Sequence, residues 1–212
     1  MWKQNASARP ALEGPGVMSK ELKKKIRKEI LARRRGLSEQ DVAEMSARVR
    51  ENLKRSGLLD GRKKVALYAS ADGEVSTREL FRELREKGVE TLFPRVRGKG
   101  PHIDFYPVTD WVSMGESEMG IPEPEPEGEP VPPEEFDFVL VPGVAFDRHG
   151  GRVGYGMGCY DRVLERLREG VPMVGVGYDF QIYEEVPMEA HDVPLSAIVS
   201  ESEIASSENG DG

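Results

Sequence analysis

Four short apolar runs punctuate the chain: KVALYAS at 64–70, VETLFP at 89–94, FDFVLVP at 136–142 and PMVGVGY at 172–178. Helix-patterned stretches at 77–87 and 159–168 separate members of this series. Strands that alternate with helices are joined by crossovers rather than tight hairpins, which produces a parallel sheet covered on its faces. The expected fold is therefore α/β, a three-layer single domain with a largely parallel central sheet. A final strand is expected at 195–200 and a short one at 103–106. With 212 residues, 38% of them hydrophobic, the chain can bury one substantial core. That domain is expected to span 18–204, between flexible tails at 1–17 and 205–212.

Ahead of the first strand, Leu22, Ile26 and Ile30 recur at helical spacing, and Ser19 is the expected cap of that helix. Its remaining surface is basic. Lys23, Arg27 and Arg34 are close enough in helical angle to point together. Such a row reads either as a solvated face or as an anion-binding row. A second helix is expected at 38–59, ended by Gly57 or by the Asp60-Gly61 turn. The stretch 121–135 holds six prolines and six glutamates, which excludes a regular helix or central strand and suggests an extended surface connection inside one domain.

A formal net charge of -8 argues against nonspecific nucleic-acid binding. The single cysteine, Cys159, rules out an intrachain disulfide and a zinc cluster of the familiar kind. No secretory signal or membrane-length apolar run is evident. A monomeric cytoplasmic protein with small-molecule partners, without nucleic acid or membrane, is the expectation.

The segment 142–162, PGVAFDRHGGRVGYGMGCYDR, is rich in glycine and follows an apolar strand. Gly154, Gly156 and Gly158 alternate just before a helix that carries Asp161 and Arg162. Glycines let the backbone approach a ligand, Asp161 offers hard oxygens suited to magnesium, and Arg152 offers a fork of donors suited to phosphate. The same residues also read as a plain glycine-rich turn, in which Asp147 simply reverses the chain. Neither G-x-G-x-x-G nor GxxxxGK[ST] occurs here. The architecture is thus expected to be Rossmann-like but without the dinucleotide fingerprint.

Several segments together carry a resemblance: KKKIRKEILARRRGLS at 23–38, YASADGEVST at 68–77, GIPEP at 120–124, VPGVAFDRHGGRVGYGMGCYDR at 141–162, DFQ at 179–181 and HDVPLSAIVSE at 191–201. In that order they resemble the 5-formyltetrahydrofolate cyclo-ligase family, also called methenyltetrahydrofolate synthetases. The resemblance implies that ATP phosphorylates the formyl oxygen of 5-formyltetrahydrofolate. N10 then closes the ring on the activated carbon, and 5,10-methenyltetrahydrofolate, ADP and phosphate result. Alternatives are an ATP-using relative acting on another formylated or pterin-like metabolite, and a nucleotide-binding regulatory protein without catalysis.

Carried over by motif, the resemblance implies that Lys23 and Arg27 reach the ATP phosphates from the first helix. Arg152, Val153, Gly154, Tyr155, Gly156, Met157, Gly158, Cys159 and Tyr160 form the nucleotide-facing loop. Its part from Tyr155 to Cys159 also borders the folate. Lys23, Arg27, Arg152 and Asp161 would serve catalysis, Asp161 and Asp192 would hold Mg2+, and Glu74 would bind the pterin. Trp111 reads as a core residue or a substrate contact. Cys159 stands where many relatives have the first of two consecutive tyrosines, and its simplest reading is a small buried side chain.

Overall fold

The structure, a computed structural model, describes residues 15–98, 100–117 and 120–207. Of the expected tails, 1–14 and 208–212 fall outside the described residues, while 15–17 begin the first helix instead. Helix α1 (Pro15–Arg35) starts upstream of Ser19, so Ser19 lies within the helix instead of capping it, and its hydroxyl is buried without a hydrogen-bond partner among the described residues. Helix α2 (Glu39–Arg55) is capped reciprocally: Ser38 Oγ accepts from Asp41 N at 3.1 Å, and Asp41 Oδ2 accepts from Ser38 N at 3.2 Å. It stops at Ser56, before Gly57 turns the chain at φ 71°. Helix α3 (Arg78–Glu86) matches expectation, while α4 (Cys159–Leu164) is shorter than the expected 159–168.

Seven strands form the central sheet: β1 (Lys64–Ala66), β2 (Glu90–Val96), β3 (Ile103–Pro107), β4 (Phe138–Val141), β5 (Met173–Val176), β6 (Ala197–Val199) and β7 (Ile204–Ser206). Their spatial order is β7-β6-β5-β4-β1-β2-β3. The five inner strands are parallel, and the edges β3 and β7 pair antiparallel. Strand β7 occupies residues expected to begin the C-terminal tail. Its pairing with β6 explains the difference, because backbone ladder bonds hold it although its residues are only partly buried.

Successive residues of a strand face opposite sides of the sheet, and both sides are covered. Val65, Phe138, Leu140, Val174 and Val199 pack with Val49 and Leu53 of α2 and with Leu80, Phe81 and Leu84 of α3. Ala66, Val139, Val141 and Ile198 pack with Val163 and Leu164 of α4. Trp111 belongs to the first layer, its ring edge-on to Phe81 at 5.7 Å and to Phe93 at 5.5 Å. The core reading of Trp111 therefore holds.

The chain places β2 on one side of β1, then adds β4, β5 and β6 on the other. Its progression reverses between β1 and β4, and a crevice opens outside the carboxyl ends of strands at such a switch point. A small sheet of Ala145–Asp147, Arg152–Val153 and Ile182–Tyr183 stands beside this crevice. Helix α1 packs on it through Ile26 and Ile30, which are 4% and 1% exposed and meet Val144, Ala145 and Val153. Burying each isoleucine contributes roughly 1.5–3 kcal/mol. That packing holds the polar face of α1 over the crevice.

Candidate active site

The loops that follow β1 and β4 meet under α1 around a cavity of about 550 Å³. Asp147 shapes the second loop: its carboxylate accepts from His149 N at 2.9 Å, Gly151 N at 2.8 Å and Val186 N at 2.9 Å. It is the turn-forming residue of the simpler expectation, and it folds the chain back so that Gly154 to Gly158 border the cavity. Gly156, at φ 100°, passes against Arg27, whose guanidinium lies 3.5 Å from where a side chain would start. Arg27 Nε donates to Gly154 O at 2.7 Å. With only six residues, α4 supplies a weak helix dipole. Anion binding here would rest on side-chain cations.

Two ion pairs occupy one end of the cavity. Lys23 Nζ donates to Asp192 Oδ2 at 2.5 Å, and Arg152 Nη2 donates to Asp161 Oδ1 at 2.7 Å. All four residues line the cavity, so the structure brings together basic and acidic groups that the sequence separates by up to 169 positions. Burial alone would raise the Asp192 pKa, yet the Lys23 contact and the Glu189 N–H outweigh it and hold the carboxyl below its usual range. Arg152 Nε is buried without a partner among the described residues.

The other end is built around Glu74, from the loop after β1. Its Oε2 accepts from Ala71 N at 3.0 Å, and its Oε1 accepts from the Tyr155 hydroxyl at 2.5 Å. Burial pushes the Glu74 pKa up, against the opposing pull of Arg34, Tyr155 and the Ala71 N–H. Burial and the neighbouring Glu74 charge likewise raise the Tyr155 phenol far above its usual range. Pro94, Val96, Ile103, Ile121 and Pro122 also line the cavity, together with Tyr160, whose hydroxyl is buried without a partner among the described residues. Cys159 lines the cavity half-buried, not fully buried as expected, and desolvation raises its thiol pKa. Val153 is packed in the core beside α1 and does not line the cavity, because its strand turns it toward Ile26 and Ile30.

A magnesium ion fits the donor set at the ion-paired end. The hydrogen bonds to Asp161 fall on Oδ1 and those to Asp192 on Oδ2, leaving one oxygen of each carboxylate without a hydrogen bond among the described residues, that of Asp192 with His191 Nε2 3.8 Å away. Mg2+ binds few protein oxygens and fills its shell with water and phosphate oxygens. No group of three or more potential ligand side chains occurs among the described residues.

Sequence reasoning missed two parts of the site. Arg34 does not join Lys23 and Arg27 at the ion-paired end but turns into the protein toward Ala71, Asp72 and Tyr155. The apolar wall comes from β2, β3 and the start of the proline-rich stretch, where Pro122–Glu123 pairs with Gly115–Glu116. That stretch is thus more than a surface connection. No local motif marks these residues, because their role comes from antiparallel pairing at the sheet edge.

The sequence model of the "5-formyltetrahydrofolate cyclo-ligase family" matches residues 19–201. The chain is 33% identical over 183 residues to the 5-formyltetrahydrofolate cyclo-ligase of Haemophilus influenzae, covering 83% of this chain and 92% of that one. Among solved structures it is similar to the 5,10-methenyltetrahydrofolate synthetase of Aquifex aeolicus, with a TM-score of 0.77 and 41% identity over 90% of this chain and 95% of that one. The synthetase of Mycoplasma pneumoniae superposes with a TM-score of 0.66 at 26% identity, covering 84% of this chain and 98% of that one. No described helix is long and apolar enough to cross a membrane.

Proposed function

The chain belongs to the 5-formyltetrahydrofolate cyclo-ligase family, and on that premise we propose that it converts 5-formyltetrahydrofolate and ATP to 5,10-methenyltetrahydrofolate, ADP and phosphate. One observation carries this reading: a single cavity joins an ion-paired end suited to a nucleotide phosphate with a buried carboxylate suited to a pterin.

Lys23, Arg27 and Arg152 bind the triphosphate. Asp161 and Asp192, beside Arg152 and Lys23, would hold Mg2+. A bound ion would supply charge neutralisation at the transferring phosphoryl group. Glu74 accepts the amino and ring N–H groups of the pterin and so sets which way the folate lies. The apolar wall excludes water, which would otherwise compete for the phosphoryl group. The formyl oxygen takes the γ-phosphoryl group, N10 attacks the activated carbon, and the carbon–oxygen bond breaks to free phosphate. Since the substrate supplies both nucleophiles, the protein's contribution is alignment and electrostatics. The test is anaerobic incubation with MgATP and 5-formyltetrahydrofolate, following the methenyl product by absorbance and ADP by chromatography. Stoichiometric formation of both supports the assignment. Turnover of ATP only with 10-formyltetrahydrofolate or a simple formamide overturns it.

A further inference from the structure

Arg34 is 1% exposed, the most completely enclosed cation of the described residues, and burying an arginine carries a large desolvation cost unless its donors are met. Its donors meet backbone and side chains of both ligand-facing loops. Nε donates to Asp72 O at 3.0 Å, Nη2 to Ala71 O at 3.1 Å and Nη1 to the Tyr155 hydroxyl at 2.8 Å. Nη2 also lies 3.8 Å from Glu74 Oε1. Asp72 holds φ 47°, a left-handed conformation unusual for a residue with a side chain, and its carbonyl is one of those clamped. Gly73 follows, where a Cβ would come within 2.8 Å of the Arg34 carbonyl.

We propose that Arg34 is a positioning residue for the substrate, holding Glu74 and Tyr155 in the arrangement that receives the pterin. This inference rests on the reading of the cavity as a folate site. Arginine offers donors only, so the Tyr155 oxygen must accept from it. The phenol's one proton is then left for Glu74, while Ala71 N donates to the other Glu74 oxygen. The network is satisfied in full when Glu74 is ionised, the state that can accept two N–H groups of a pterin. The groups facing Glu74 are Arg34 from α1, Asp72 on its own loop, Tyr68 after β1, Tyr155, Tyr160 of α4 and Tyr178 after β5. Among them Arg34 is the cation that offsets burial. On the same helix as Lys23 and Arg27, it ties the folate end of the cavity to the element that carries the proposed nucleotide contacts.

The test compares Arg34→Gln and Arg34→Lys with the parent across pH. Arg34→Gln should raise the KM for 5-formyltetrahydrofolate about tenfold or more, as expected for losing a charged hydrogen-bonding partner, and change the KM for ATP by less than about twofold. The acidic limb of kcat/KM for the folate should move up by roughly one pH unit, the equivalent of a tenfold change, and Arg34→Lys should move it less. In a Glu74→Gln background the limb should disappear and Arg34→Gln should add little, since both act through one group. Tyr155→Phe, on an exposed loop, removes the hydroxyl bridge and should shift the limb in the same direction. It decides the matter if Arg34→Gln does not fold. An unmoved limb in the folded variants, or KM values for folate and ATP that rise in parallel, overturns the role of Arg34 while leaving the folate reading intact. A parent enzyme that forms no methenyl product overturns the folate reading and this inference with it.

Discussion

Glu74 illustrates a conflict between stability and binding at a single residue. Its pKa is raised chiefly by burial, so the favourable contribution of its protonated form is fully present below the unfolded pKa and is lost as pH rises through the folded one. Glu74→Gln is therefore expected to leave thermal stability at neutral pH unchanged or higher. The same change removes a two-oxygen acceptor and presents an NH2 to a substrate N–H, a mismatch of about 1–3 kcal/mol. Melting curves and folate KM on one sample check both halves: KM should rise at least several-fold without a fall in Tm. Asp161→Asn keeps the shape and an acceptor for Arg152 but gives up the anionic charge. It should raise the Mg2+ concentration for half-maximal activity about tenfold, roughly the worth of one charged hydrogen-bond partner, and a metal titration reads this directly.

Among the elements, the glycine-rich loop and the N-terminus of α2 predict opposite outcomes. Gly156→Ala forces a side chain into a φ of 100° beside the Arg27 guanidinium, a strain on the order of 1–3 kcal/mol. The loop should shift, and the KM for ATP should rise with it. Ser38→Ala removes the capping box of α2, outside the cavity lining. That costs about 1 kcal/mol, or roughly 2–4 °C in Tm for a domain of this size, with kinetic constants unchanged. Steady-state kinetics beside melting curves separate the two. The positions of the inner strands and of α2 and α3 were legible because apolar runs and capping residues are local signals. The start of α1 was not, since Ser19 has the chemistry of a cap and yet lies within the helix. Strand β7 was missed for a related reason: a polar edge strand is specified by the neighbour it pairs with, not by its own pattern.

For the molecule as a whole, the reversal of strand order between β1 and β4 puts two loops and one helix around a common crevice. The spacing of the motifs singled out candidate residues, and the topology brought Lys23 to Asp192 and Glu74 to Tyr155. What spacing could not convey was the division of the basic row on α1, with Lys23 and Arg27 at the ion-paired end and Arg34 enclosed beside Glu74. Helical angle sets the direction in which a side chain leaves the axis, but depth depends on what packs alongside. The proposed chemistry makes one bond-level demand, that the formyl oxygen attack the γ-phosphorus and leave the folate as part of the phosphate. It is tested most directly by a single turnover of 5-formyltetrahydrofolate labelled with heavy oxygen in the formyl group, with phosphorus NMR of the phosphate released. Label recovered in the phosphate is the expected result; unlabelled phosphate, with the label in water, would contradict phosphoryl transfer to the formyl oxygen.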